Sequence, residues 1–146
     1  MKPLTVEIFD STLRDGAQSE GIHFSVEDKL AIVKALDKLG VSFVEAGNPG
    51  SNQKDLAFFA RAAELTLTHT QLVAFGSTRR RGLSPGEDAN CRSLLRAGTN
   101  AVAIFGKCWD LHVTVFFSIR KRVIIRCWEN GITIFHKRCI IIEVCG

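Results

Sequence analysis

Apolar runs alternate with amphipathic stretches along residues 1–105, one pair every ~30 residues, and this alternation constrains the fold most. Leu4–Phe9 is a short apolar run with β-branched residues, which predicts a buried strand. A polar, glycine-containing loop, Asp10–Phe24, follows. Ser25 with Asp28 three residues on is a capping-box start. Val26, Leu30, Val33 and Leu36 then recur at helical spacing until Gly40 stops the helix. Val41–Ala46 predicts a second strand, Gln53–Leu65 a second helix and Gln71–Phe75 a third strand. Asp88 caps a third helix ending before Gly98, and Ala101–Phe105 predicts a fourth strand. Strands alternating with helices make βαβ units and a parallel sheet, so the fold class is α/β. The polar loops fall at the C-terminal ends of the strands, where ligands bind in barrels and open α/β sheets alike. The period recurs without self-similar residues, which excludes a repeat array.

The last 32 residues break this order. Residues 1–114 carry 13 Lys+Arg and 13 Asp+Glu, whereas 115–146 carry 6 and 2, so the whole excess of +4 lies there. The segment has eight isoleucines, no alanine and no leucine. Val123–Ile125 and Ile140–Ile142 are strand-like runs around an Asn130-Gly131 turn, with no helix after strand four. The expected division is therefore 1–114 as one α/β unit and 115–146 as a discordant tail. Such a tail reads as out-of-frame translation or a damaged gene. A pI near 8.9 would prompt a nucleic-acid reading, but the excess is confined to a tail without a binding motif, so none is expected.

At 46% apolar and 23% charged, the 146 residues suit a globular chain, and no apolar run approaches the ~20 residues of a membrane span. The N-terminus has Glu7 and no apolar h-region, so it does not read as a signal peptide. Five cysteines without a secretory signal predict free thiols and a cytoplasmic setting.

The stretch Asp10-Ser-Thr-Leu-Arg-Asp-Gly-Ala-Gln18 carries the chemistry. Asp15 is a hard oxygen ligand suited to Mg²⁺ or Mn²⁺. Arg14 offers a planar fork of donors for a carboxylate or a developing oxyanion. The same pair also suits a salt bridge rimming a loop.

Leu13-Arg14-Asp15-Gly16, Gln18 and Lys29 together resemble the N-terminal signature of the isopropylmalate and homocitrate synthase family. Its members are metal-dependent TIM barrels related to hydroxymethylglutaryl-CoA lyase. The segments EGIHFSVEDKLAIVKALDKLGVSFVEAGNPGSNQKDLAFF, LVAFGSTRRRG and IFGKCWDLHVT are similar to the citramalate synthase branch. That branch has a tryptophan near Asn48, a proline at Gln53 and a serine at Cys108, so this chain departs from it there. The resemblance spans roughly 5–114 and implies a partial (β/α)8 TIM barrel of about four strands and three helices. A whole barrel takes ~250 residues.

The resemblance also implies a reaction: metal-assisted condensation of acetyl-CoA with pyruvate to (R)-citramalate, an acyltransferase step in isoleucine and branched-chain amino-acid biosynthesis. The runners-up are 2-isopropylmalate or homocitrate synthase, and a non-catalytic half-barrel that binds or oligomerises. Carried over by position, Asp15 is the metal ligand, and Arg14 and Glu45 are catalytic. Arg14 and Gln18 contact substrate. Asp10 is expected to order its loop and Lys29 to be structural. The implied cofactor is Mg²⁺ or Mn²⁺, with acetyl-CoA as co-substrate and pyruvate as small-molecule partner. No membrane is expected, and homodimers are expected for full-length relatives. The family's later His-x-His element is absent here, so this chain alone is expected to be inactive.

Arg79, Arg80 and Arg81 read mainly as a solvated loop, and His112 as a loop histidine. Cys127, His136, Cys139 and Cys145 fit no usual zinc spacing.

Overall fold

The computed structural model describes residues 5–107 and, as backbone, Cys139–Cys145. Five strands form one sheet: β1 (Phe9–Asp10), β2 (Phe43–Gly47), β3 (Gln71–Ser77), β4 (Ala101–Lys107) and β5 (Cys139–Cys145). Their spatial order is their chain order, and every pairing is parallel. Three helices connect the first four strands: α1 (Val26–Leu39), α2 (Gln53–Ala62) and α3 (Ala89–Arg96). Sequential parallel strands with a helix in each crossover are the βαβ arrangement the alternation predicts.

The helix ends form where the side chains allow. Ser25 accepts from the Asp28 N–H, while Asp28 accepts from the Ser25 N–H, which closes the capping box of α1. Gly40 ends α1 in the left-handed region at φ 84°, and its N–H bonds back to the Asp37 and Leu36 carbonyls. Asn52 and Asp88 cap α2 and α3.

Two apolar layers lie on the two faces of the sheet. The helix side buries Leu30, Val33, Phe58, Phe59 and Leu94 against Val44, Ala74, Val102 and Ile104. The other face is lined by Val73, Ala101 and Ala103 with Phe43 and Phe75. The period-two alternation of β4 sorts its side chains between the layers, small alanines to one face and Val102 and Ile104 to the other. Glu45 shares a face of β2 with Phe43, so its carboxylate sits in the inner layer.

The differences from expectation lie at the element ends. β1 is two residues long where six are predicted, and β3 and β4 each run two residues further than predicted. An edge strand has a ladder on one side only, so β1 is held by few bonds, whereas β3 and β4 are paired on both sides. Ile140–Ile142 lies in β5, in register with Val102, Ala103 and Ile104 of β4. This strand extends the same sheet, although the composition of 115–146 gives no sign of membership. The boundary at Thr114, the Val123–Ile125 run and the Asn130-Gly131 turn lie outside the described residues.

Candidate active site at the mouth of β1 and β2

Arg14 and Glu45 meet across the mouths of the first two strands. The Arg14 Nε donates to Glu45 Oε2 at 2.5 Å, and its Nη1 reaches Asp15 Oδ1 at 3.2 Å. The guanidinium also stacks over the Phe75 ring, 4.1 Å from its centroid. Three elements therefore fix one side chain: the loop after β1, the end of β2 and the end of β3. Glu45 is fully buried and Arg14 is 15% exposed, whereas the Asp15 side chain is 65% exposed. The arginine thus has a neutralising carboxylate behind it, on an edge nitrogen, while the carboxylate of Asp15 faces solvent.

The backbone of this loop turns tightly. Ser11 C=O accepts from the N–H groups of Arg14, Asp15 and Gly16. Asp10 accepts from both the N–H and the hydroxyl of Thr12, so Asp10 orders the loop as expected. Gln18 follows in a short 3₁₀ turn, Gly16–Gln18. A cavity of about 300 Å³ opens between this loop and the start of α2. Arg14, Gln18 and Phe75 line it together with His23, Asn52 and Lys54. Arg14 and Gln18 therefore share a cavity, while Asp15 and Glu45 flank the arginine without lining that cavity.

A buried ion pair in the wall of that cavity shapes β2. Lys29 Nζ donates to Asp55 Oδ1 at 2.5 Å and to the Ala46 C=O at 2.9 Å. The β2–β3 register slips at this point: Glu45 faces Val73, and Gly47 faces Ala74, leaving Ala46 as the extra residue of a bulge. Asp55 also accepts from the Asn48 N–H and from the Asn52 side chain. Gly47 sits at φ 142°, and a Cβ there would come within 2.6 Å of Asp55 Oδ2, so only glycine fits. Lys29 is structural, as its helical position suggests. Its partner Asp55 and the stacking ring Phe75 were not singled out from sequence. The signal for Asp55 was an acid in the first turn of a helix, too common to stand out.

The loop after β3 is built around another buried acid. Asp88 accepts from the N–H groups of Arg80, Asn90 and Cys91. Burial pushes its carboxyl upward, but these three N–H groups outweigh that and hold it below the usual carboxylate range. Arg79 turns back to the Leu83 C=O, and Arg80 and Arg81 are exposed, in keeping with a solvated loop. Burial pushes the Cys91 thiol up, and the neighbouring Asp88 carboxylate adds to this, to about 12. His112, Cys108, Cys127 and His136 lie outside the described residues.

Among the described residues, no three His, Cys, Asp or Glu side chains come together as a metal site. Asp15 offers one hard oxygen, already facing Arg14, and one ligand does not hold a divalent ion against water. The described residues alone thus do not fit the metal that the resemblance implies. Nor is any described helix long and apolar enough to cross a membrane.

Comparison with known proteins agrees with this architecture. The chain is 50% identical over 109 residues to the (R)-citramalate synthase of Aquifex aeolicus, covering 75% of this chain and 21% of that protein. It is 52% identical over 107 residues to the (R)-citramalate synthase of Streptomyces coelicolor, covering 73% of this chain and 20% of that one. A probable 2-isopropylmalate synthase of Ignicoccus hospitalis is 35% identical over 111 residues, covering 76% of this chain and 26% of that protein. The chain thus spans about one fifth of the length of the citramalate synthases it matches. In structure it superposes on the HMG-CoA lyase of Bacillus subtilis with a TM-score of 0.68 at 18% identity, covering 97% of this chain and 47% of the lyase. That likeness identifies the sheet as part of a TIM barrel. The family model described as HMGL-like matches residues 5–145, and the chain belongs to the HMGL-like family.

Proposed function

We propose that this chain is the N-terminal part of an (R)-citramalate synthase barrel and supplies the Arg14 side of its condensation site. The reaction joins the methyl carbon of acetyl-CoA to the carbonyl carbon of pyruvate. A base takes a proton from the methyl group, the enolate attacks the keto carbon, the alkoxide takes up a proton, and water cleaves the thioester to release CoA. The new C–O⁻ requires a positive charge already in place. Arg14 provides it, because Glu45, Asp15 and Phe75 hold the guanidinium before substrate arrives. This threefold hold on Arg14 is the observation that carries the reading.

Gln18 lines the same cavity and is placed to contact the keto acid. Glu45 orients Arg14 through its Nε and leaves the other donors of the fork to serve the substrate. Asp15 would supply a carboxylate oxygen to a Mg²⁺ or Mn²⁺ ion held mainly by ligands from outside the described residues, and that ion would polarise the keto acid. The described residues supply only part of that site. Pyruvate is favoured over the larger keto acids of isopropylmalate or homocitrate synthases because identity to the citramalate synthases reaches 50–52% in these matches, against 35% to the probable 2-isopropylmalate synthase. Such chemistry belongs to branched-chain amino-acid biosynthesis in the cytoplasm.

The test is a chimera. Residues 5–107 replace the matched segment of the Aquifex aeolicus enzyme, and CoA release is followed with pyruvate, acetyl-CoA and Mn²⁺. The chimera is expected to be active with pyruvate and to lose activity in Arg14→Gln. Activity with 2-oxoisovalerate in place of pyruvate would move the reading to isopropylmalate synthase.

A further inference from the structure

The end of β2 is pinned on both sides of its bulge. Ala46 has no partner in the β3 register, and its C=O accepts from Lys29 Nζ at 2.9 Å. Two residues on, the Asn48 N–H donates to Asp55 Oδ2 at 2.9 Å. Lys29 Nζ and Asp55 Oδ1 are themselves joined at 2.5 Å, so α1 and α2 grip the strand end as one unit. Lys29 is 3% exposed and Asp55 6%, so little water reaches these bonds to replace them. Between the two grips lies Gly47, where a Cβ would run into the Asp55 carboxylate.

Glu45 is the last residue of β2 in regular register before the bulge, opposite Val73. Its fully buried carboxylate holds Arg14 Nε. The next peptide along the chain carries the Ala46 carbonyl that Lys29 holds. A regular ladder would bring Ala46 opposite Ala74; the bulge gives that place to Gly47 and bends the strand just after Glu45. Both carboxylate oxygens of Asp55 are committed to this chain, Oδ1 to Lys29 and Oδ2 to Asn48 and Asn52. Although the ion pair lies in the cavity wall, its groups are turned to the strand end, and its two charges offset each other.

We propose that Asp55, through Lys29 and the Ala46 bulge, is a positioning residue for Arg14. It fixes the strand end that carries Glu45, and Glu45 fixes the guanidinium. The catalytic part of this inference rests on the proposed role of Arg14 in the condensation. The link from Asp55 to Arg14 is tested apart from it.

The test follows hydrogen exchange by NMR in the full 146-residue chain. In the unsubstituted chain, the Arg14 Nε–H and the Asn48 N–H are expected to share one opening. Their protection factors then agree within about 3-fold and fall together as urea is added. Asp55→Asn can still accept from Lys29 but then presents its NH₂ to the Asn48 N–H. It is expected to lower protection of the Arg14 Nε–H about 10-fold relative to the β4 amides. Asp37→Asn, at the other end of α1, is expected to lower both alike. In the chimera described above, Asp55→Asn is expected to reduce kcat about 10²-fold with KM for pyruvate within about 3-fold. Arg14 protection that follows the β4 amides in Asp55→Asn overturns the proposal. So does a selective loss at Arg14 in Asp37→Asn, or a raised KM with kcat unchanged. Should Asp55→Asn not fold, exchange in the unsubstituted chain decides, and separate openings of Arg14 and Asn48 overturn the proposal. A chimera indifferent to Arg14→Gln counts against the proposed reaction and leaves the exchange result standing.

Discussion

Arg14 and Glu45, 31 positions apart, are joined by a 2.5 Å hydrogen bond from Nε to Oε2 in which the acid is fully buried. Each depends on the other. Removing Glu45 takes away the buried counter-charge of Arg14 and leaves it the exposed carboxylate of Asp15, and breaking a buried pair costs ~3–5 kcal/mol. Glu45→Ala is therefore expected to lower the urea midpoint strongly. Glu45→Gln keeps an acceptor for Nε and is expected to lose less. Equal losses in urea titrations of the two variants would show that the pair contributes packing only.

Lys29 and Asp55 predict a second asymmetry. Lys29→Met removes the ammonium and leaves Asp55 buried with its charge, at a cost of ~3–5 kcal/mol. The double variant with Asp55→Leu is expected to recover only part of that, because Asp55 also holds the Asn48 N–H at the bulge. A double-mutant cycle by chemical denaturation measures this. Full recovery would mean that the bulge stands without Asp55.

Asp37 links the end of α1 to the approach to β3. The N–H groups of His69, Thr70 and Thr68 bond to its carboxylate and hold it below its ordinary value of 3.8. A carboxyl depressed in the folded state stabilises above the unfolded value and loses that contribution as pH falls through the folded one. The wild-type chain is therefore expected to melt higher than Asp37→Asn at pH 7, with the gap closing below about pH 4. Thermal melts from pH 7 to pH 3 check this, and a constant gap would contradict it.

Cys91 is expected to be inert. With its thiol raised to about 12, only about one molecule in 10³ carries the thiolate at pH 9, against half for an ordinary thiol. Peptide-resolved mass spectrometry after iodoacetamide treatment at pH 9 should find Cys91 unmodified in the native chain and modified in urea. Rapid native labelling would place it outside the core.

Much of this architecture is legible in the residues. Ser25 and Asp28, Gly40, and Asp88 mark helix ends by chemistry that acts within a few residues, and the structure uses each as read. Arg14, Asp15 and Gln18 stand out because their order and spacing resemble a known signature, and Glu45 only as a strand-end acid carried over by position from the same resemblance. What escapes is set by contacts distant in sequence. Phe75 reads as an ordinary strand residue until β3 lies beside β2 and brings its ring under Arg14. Asp55 reads as a helix-start acid until α1 brings Lys29 to it. β5 is obscured by the composition of its surroundings, because Cys-Ile-Ile-Ile-Glu-Val-Cys suits any buried strand and names no partner.

The most direct measurement is CoA release by the folded chimera carrying residues 5–107 in the Aquifex aeolicus synthase, compared with its Arg14→Gln variant. The account predicts (R)-citramalate from pyruvate and acetyl-CoA, with activity lower by about 10²–10³-fold in Arg14→Gln. A correctly folded chimera that forms no citramalate, or one indifferent to the loss of Arg14, would contradict it.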